Sequence, residues 1–171
     1  GLDNLGSVGQ DLTIYSNSSL TSLHGLNVTE ADRMTIQYNG ALTSLVGLEL
    51  LTTINGDVDI GYNHAMTSFD GLSGLNHIDG GLSIYLNDSL EALDGLESLD
   101  YAERIHIYHN EILTSIDGLT SISTIGATND GYVEIYNNYM LCESWAYYFI
   151  EIMWMMNDWT GDYGFWGLDS C

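Results

Sequence analysis

The sequence predicts a mainly β fold: a β-solenoid of about six coils, with a helix capping its C-terminal end. Three observations carry this. The thirteen residues IYSNSSLTSLHGL at 14–26 return as IQYNGALTSLVGL at 36–48, IGYNHAMTSFDGL at 60–72, IYLNDSLEALDGL at 84–96 and IYHNEILTSIDGL at 107–119. The Asn of each I-x-x-N, with one more in a sixth and shorter match, falls at 17, 39, 63, 87, 110 and 138, so the spacings are 22, 24, 24, 23 and 28. A fixed period in the twenties marks stacked repeats. Within a repeat the apolar spacing starts at two, becomes three and never settles at the 3.6 of a helix.

The strands come first. Leu12/Ile14, Met34/Ile36, Val58/Ile60, Leu82/Ile84, Ile105/Ile107 and Val133/Ile135 alternate apolar with variable residues, which is the period of a strand with one buried face. After each strand three further columns point inward. They are Leu20, Leu42, Met66, Leu90, Leu113, Leu141; then Leu23, Leu45, Phe69, Leu93, Ile116; then Leu26, Leu48, Leu72, Leu96, Leu119. No single coil buries these residues; its neighbours must. At about 1.5–3 kcal/mol per buried large apolar side chain, the columns are the main stabilising contribution.

The Asn column (Asn17, Asn39, Asn63, Asn87, Asn110, Asn138) has a different cause. At a corner the backbone leaves the ladder, and a buried amide can donate and accept to the stranded N–H and C=O groups and to the next Asn. The Asp-Gly corners at Asp70-Gly71, Asp94-Gly95 and Asp117-Gly118 call for a positive φ at Gly and Asp side chains on nearby N–H groups.

Residues 1–141 form the repeats and 142–171 a cap belonging to the same domain. In the cap, a helix is expected over roughly 142–156, starting near Glu143 and Ser144 and stopping at Asn157-Asp158. Its apolar residues run almost all the way round, whereas a cap needs one stripe. Either the tail residues Trp159, Tyr163, Phe165 and Trp166 fold over the second side, or Trp145, Phe149, Met153 and Trp154 meet another subunit. At the other end GLDNLGSVGQDLTI reads as the latter half of a repeat, with Leu2, Leu5 and Val8 in register. The stretch is read as part of a trimmed or longer chain, its end covered by upstream repeats or by another molecule. Cys142 and Cys171, the only two cysteines, bracket the cap; a disulfide there favours an oxidising compartment, the alternatives being free thiols or a metal pair.

The pattern I-x-x-N-x-x-L-x-S-L-D-G-L-x-x-L-x-x-I-x-G-x-L resembles the receptor L domain, over about residues 2–141. The resemblance implies a right-handed, leucine-rich-like β-helix that recognises ligands or adheres through a sheet face, with no catalytic residues. The cysteine-rich modules that flank that domain in receptors have no counterpart here.

Composition narrows the function further. The formal net charge is −22, with 24 acidic residues and only two Lys or Arg. Such a chain repels nucleic acid and anionic lipid. No run reaches the roughly 18 apolar residues of a membrane span. The expectation is therefore a non-catalytic extracellular or cell-surface module that binds a protein or glycan. The alternative is a structural subunit that self-associates through the solenoid ends. No cofactor and no metal are expected, since His106 and His109 lack a third clustered ligand and no loop has Ca²⁺-site spacing. Candidate binding residues lie on the outward strand face. The columns there are Asp11, Arg33, Asp57, Gly81, Arg104, Tyr132; then Thr13, Thr35, Asp59, Ser83, His106, Glu134; then Tyr15, Gln37, Gly61, Tyr85, Tyr108, Tyr136. Arg33 between Asp11 and Asp57, and Arg104 reaching Glu134, would relieve acidic repulsion. A binding face would instead use Arg33, Tyr85, Arg104, His106, Tyr108 and Tyr136, Arg and Tyr being enriched at hot spots. Of the three N-glycosylation patterns only that of Asn27 lies outside the Asn column. Among outward Thr residues only Thr13 and Thr35 are expected to stack, against the regular ladder an ice-binding solenoid needs.

Overall fold

Each I-x-x-N segment becomes one rung of a parallel sheet. The computed structural model describes residues 10–126, 131–157 and 159–171. In chain order the elements are β1 (Leu12–Tyr15), β2 (Glu30–Ala31), β3 (Met34–Gln37), β4 (Thr53–Ile54), β5 (Val58–Gly61), β6 (His77–Tyr85), β7 (Tyr101–Tyr108), β8 (Thr124–Ile125), β9 (Tyr132–Tyr136), α1 (Glu143–Asn157) and β10 (Asp162–Trp166). The main path runs β1-β3-β5-β6-β7-β9-β10, every pair parallel. A second, two-residue-wide ladder joins β2, β4, the start of β6, the start of β7 and β8. The repeats thus make about five turns between six rungs, one coil fewer than the six expected from counting Asn residues, because six rungs bound only five closed turns. The half-repeat at Leu2, Leu5 and Val8 lies outside the described residues.

The inward columns form one continuous core from Leu12 to Trp159. Where the chain turns, i to i+3 backbone bonds follow one another: Leu45 N–H donates to Asp70 O across coils, while Leu48 donates to Leu45 O and Leu51 to Leu48 O within one. Gly71 (φ 109°) is held by both conformation and space, since a Cβ there would run into Leu45 O. Gly118 departs from the expected positive φ: Asp117–Leu119 is a 3₁₀ turn, and Gly118 is required because a Cβ would meet Leu93 O. Nor, among the described residues, do the side chains of Asp70, Asp94 and Asp117 accept from backbone N–H groups as expected. Asp70 Oδ2 accepts from Ser68 Oγ, and the amides of Gly47 and Gly95 donate to Glu49 and Glu97.

The Asn column is a chain of amides. Asn39 N–H donates to Asn63 Oδ1 (3.0 Å), Asn63 to Asn87 (3.1 Å), Asn87 to Asn110 (3.2 Å) and Asn110 to Asn138 (2.9 Å). Each Nδ2 reaches back to the preceding rung's Ile carbonyl, as Asn87 does to Ile60 O at 3.1 Å. Asn39, Asn63, Asn87, Asn110 and Asn138 are fully buried. Asn17 is exposed, because among the described residues no coil lies in front of it. Ahead of every Asn, at Ser16, Tyr38, Tyr62, Leu86, His109 and Asn137, the backbone is left-handed with φ of 53–58°. Each such residue costs about 1–2 kcal/mol. The conformation persists because the amide chain on one side and the strand ladder on the other over-determine it.

The cap differs from expectation in two ways. First, α1 has a single buried stripe, Ala146, Phe149, Ile150 and Met153. Phe149 and Met153 are therefore core residues and not an assembly surface: they close the last coil. Trp145, Tyr147, Tyr148, Trp154 and Met155 stay exposed. Second, the tail does more than cover the helix. Tyr163 and Phe165 do lie against Tyr147 and Trp154, but their strand, β10, also pairs with β9 and adds a seventh rung. Cys142 and Cys171 form a disulfide, with Cα atoms 5.6 Å apart. Among the described residues no helix is long and apolar enough to cross a membrane.

Candidate functional site

Parallel register fixes what stands beside what on the outward face. Asp59 lies opposite Ser83, Ser83 opposite His106 and His106 opposite Glu134. Tyr85, Tyr108, Tyr136 and the unforeseen Trp166 form the neighbouring column.

That column is a run of overlapping rings. Tyr85–Tyr108, Tyr108–Tyr136 and Tyr136–Trp166 are stacked at centroid separations of 4.9, 5.0 and 4.5 Å. With faces about 3.5 Å apart, a 5 Å separation requires a sideways offset of about 3.5 Å, so the rings overlap like roof shingles and each keeps part of a face open. The run continues past Tyr85 through residues of the left-handed corner: Tyr62 meets Tyr85 edge-on (5.6 Å), Tyr38 stacks on Tyr62 (4.3 Å), and Tyr15 meets Tyr38 edge-on (5.2 Å). Seven rings thus cross the whole face. The sequence columns placed only Tyr85, Tyr108 and Tyr136 together. Tyr38 and Tyr62 were missed because they occupy the next position along, and only the corner's positive φ swings them into line.

Two outward glycines explain how side chains span rungs. A Cβ on Gly61 would lie 2.5 Å from the Tyr85 ring. Tyr85 therefore leans across Gly61, and its hydroxyl accepts from Gln37 Nε2 at 2.8 Å, two rungs away. Arg104 likewise lies over Gly81 and donates to Asp57 Oδ1 at 3.1 Å. The expected Arg104–Glu134 pair is not formed, because Gly81 leaves the opposite direction open and Asp57 Oδ1 is already fixed there by the Gly81 N–H at 2.9 Å. Arg33 meets the other oxygen of Asp57 at 3.6 Å, so both cations of the chain converge on one carboxylate.

His106 takes the place beside Glu134. Its Nε2 is 3.3 Å from Glu134 Oε2, yet makes no hydrogen bond. Burial lowers its pKa, with Glu134 opposing, so the ring is neutral at pH 7 and the contact is proximity, not an ion pair. The ring is gripped between Tyr108 and Tyr136. Burial first, then Asp57, raises the Asp59 pKa, with Arg33 opposing. Burial and neighbouring phenols and Asp59 push Tyr85 and Tyr108 up to about 12.

Between the Asp57–Gly81–Arg104–Tyr132 column and the Asp59–Ser83–His106 column lies a shallow pocket of about 300 Å³, on the side of His106 away from the ring run. Of the candidate residues, Tyr85, Arg104, His106, Tyr108 and Tyr136 are drawn into this pocket and the adjoining ring stack, with Arg33 at the edge through Asp57. The site offers hydrogen-bonding groups beside partly open aromatic faces; among the described residues no group of three or more His, Cys, Asp or Glu is arranged to hold a metal. Asn27 is exposed, on the far side of the coil. A Thr column the sequence reading overlooked also stands on another side. Thr21, Thr43, Thr67 and Thr114 are exposed, with Glu91 interrupting them, and the Thr67 and Thr114 hydroxyls donate to the carbonyls of Thr43 and Glu91.

Comparison of the chain with protein-family models, with curated proteins and with solved structures finds no match.

Proposed function

We propose that the protein is a non-catalytic extracellular recognition or adhesion module, of the receptor L kind, that binds a glycan or protein on its outward strand face. The observation that carries this is the seven-ring run beside the Arg-Asp-His pocket. Shingled aromatics contribute to the fold, about 0.5–1.5 kcal/mol per pair, but a fold-only role does not require them to line one open face beside both cations. The disulfide supports an oxidising compartment, and the acidic surface disfavours nucleic acid and anionic membrane. The test is an array of glycans and extracellular proteins probed with the wild type and with Tyr85→Ser/Tyr108→Ser. Hits lost in the folded double variant support the face; hits retained sink it. A glycan-hydrolysis screen on the same samples checks that binding occurs without turnover.

One observation favours a second reading, a structural subunit joined end to end. Trp145, Tyr148, Trp154 and Met155 are exposed on the outer side of the cap. Light scattering over a concentration series decides it: growth that Trp145→Ser/Trp154→Ser abolishes establishes the end contact, and a constant monomer mass removes it.

A further inference from the structure

Resting on the binding-face reading, we infer that the pocket between β5 and β9 is a subsite for one uncharged pyranose of a neutral glycan, whose next sugar lies on the Tyr85–Tyr108 shingles.

The charge around the pocket selects the ligand class. The whole chain carries −22, yet Arg33 and Arg104 are its only Lys or Arg residues and both sit here. Against them stand Asp57, Asp59 and Glu134, so two positive and three negative groups leave a local net of −1. The surrounding −21 repels uronates, sulfates and phosphates before they arrive. The two guanidiniums are held against Asp57, so their charge is answered within the pocket and is not left to draw an anion in. An uncharged polyol needs no such attraction and meets no repulsion.

The hydrogen-bonding inventory suits hydroxyls. Asp59 and Ser83 face each other across the β5–β6 register. Neither side chain makes a hydrogen bond among the described residues, although Asp57 and Arg104 beside them are committed to each other. A half-buried carboxylate next to a hydroxyl accepts from a vicinal diol, and the Arg104 N–H groups that do not face Asp57 remain as donors. The cavity, about 300 Å³, lies at the small end of ligand sites, a size for one sugar ring and not a peptide segment. Across His106, the ring run supplies the apolar half of the site. His106 is locked against Tyr108 and Tyr136, and the partly open ring faces fit the C–H side of a pyranose.

Affinity electrophoresis in native gels tests this, with mannan, galactomannan and mixed-linkage β-glucan as neutral probes and heparin and alginate as anionic ones. The expected result is retardation by at least one neutral polymer and by neither anionic one. Asp59→Asn and Ser83→Ala each weaken that retardation about tenfold, with unchanged near-ultraviolet circular dichroism. No retardation by any neutral probe overturns the inference, as does retardation by heparin or alginate. If Tyr85→Ser/Tyr108→Ser abolishes retardation while Asp59→Asn and Ser83→Ala leave it intact, the pocket assignment falls and the face survives. The reverse pattern leaves the pocket standing alone and removes the broader face.

Discussion

Replacing Asn87 by Ala isolates the amide chain. Asn87 Oδ1 accepts the Asn63 N–H at 3.1 Å, and its Nδ2 donates to Ile60 O at 3.1 Å; all of these groups are buried. The Ala variant leaves the buried Asn63 N–H without a partner and takes from Ile60 O the bond that the Asn87 amide adds to its strand ladder. At about 1–3 kcal/mol for the orphaned donor and about 0.5–1.5 kcal/mol for the lost bond, the loss is about 1.5–4.5 kcal/mol, a large share of the 5–15 kcal/mol typical of a domain. Asn17→Ala is the control: its amide donates to Tyr15 O at an exposed end, and the expected loss is under about 1 kcal/mol. Guanidinium titration reads the difference. With a slope of about 4 kcal/mol/M, a 4 kcal/mol loss moves the midpoint of Asn87→Ala down by about 1 M. If the two variants unfold within a few tenths of a molar of each other, the amides do not satisfy the corners and the account given for the column is wrong.

Gly61→Ala should push the Tyr85 ring off its seat and break its bond to Gln37. The near-ultraviolet tyrosine signal then falls and Tyr85 titrates closer to 10; an unaltered spectrum refutes the seat. Because folding raises the Tyr85 and Tyr108 pKa values to about 12 from the usual 10, their contribution to stability is complete below about pH 10 and is lost between about pH 10 and 12. Thermal unfolding over that window should drop steeply, and less so in Tyr85→Phe/Tyr108→Phe; equal drops rule the phenols out. Cys171→Ser opens a loop with a sequence separation of 29 and should cost about 3–4 kcal/mol in the chain-entropy model. Amide exchange should then accelerate first in β10, and uniform acceleration would contradict the clamp's local role.

The parts of this fold legible in the sequence are those that repetition writes out. The apolar columns and the Asn column recur at one period, and their burial follows from it. Phe69 and Met66 hold Leu positions because the core accepts any apolar residue of suitable volume. What could not be read depends on reach and conformation instead of identity. Tyr38, Tyr62 and Leu86 carry no mark of a left-handed backbone; the corner imposes it. Arg104 turned to Asp57 because Gly81 beside it has no side chain, a choice of direction that column membership does not encode. The tail from Asp162 to Trp166 has no I-x-x-N and so no visible claim to a rung, yet its alternation puts Tyr163 and Phe165 in register with Val133 and Ile135, toward the helix, and Trp166 onto Tyr136.

The covalent bridge at Cys142 and Cys171 gives this one-dimensional molecule a mechanical polarity. A stack whose rungs touch only their neighbours comes apart from its extremities. At the β10 extremity the last rung is sewn to the helix that closes the core. Under heat or tension, unravelling from that extremity should be blocked until the bridge is reduced.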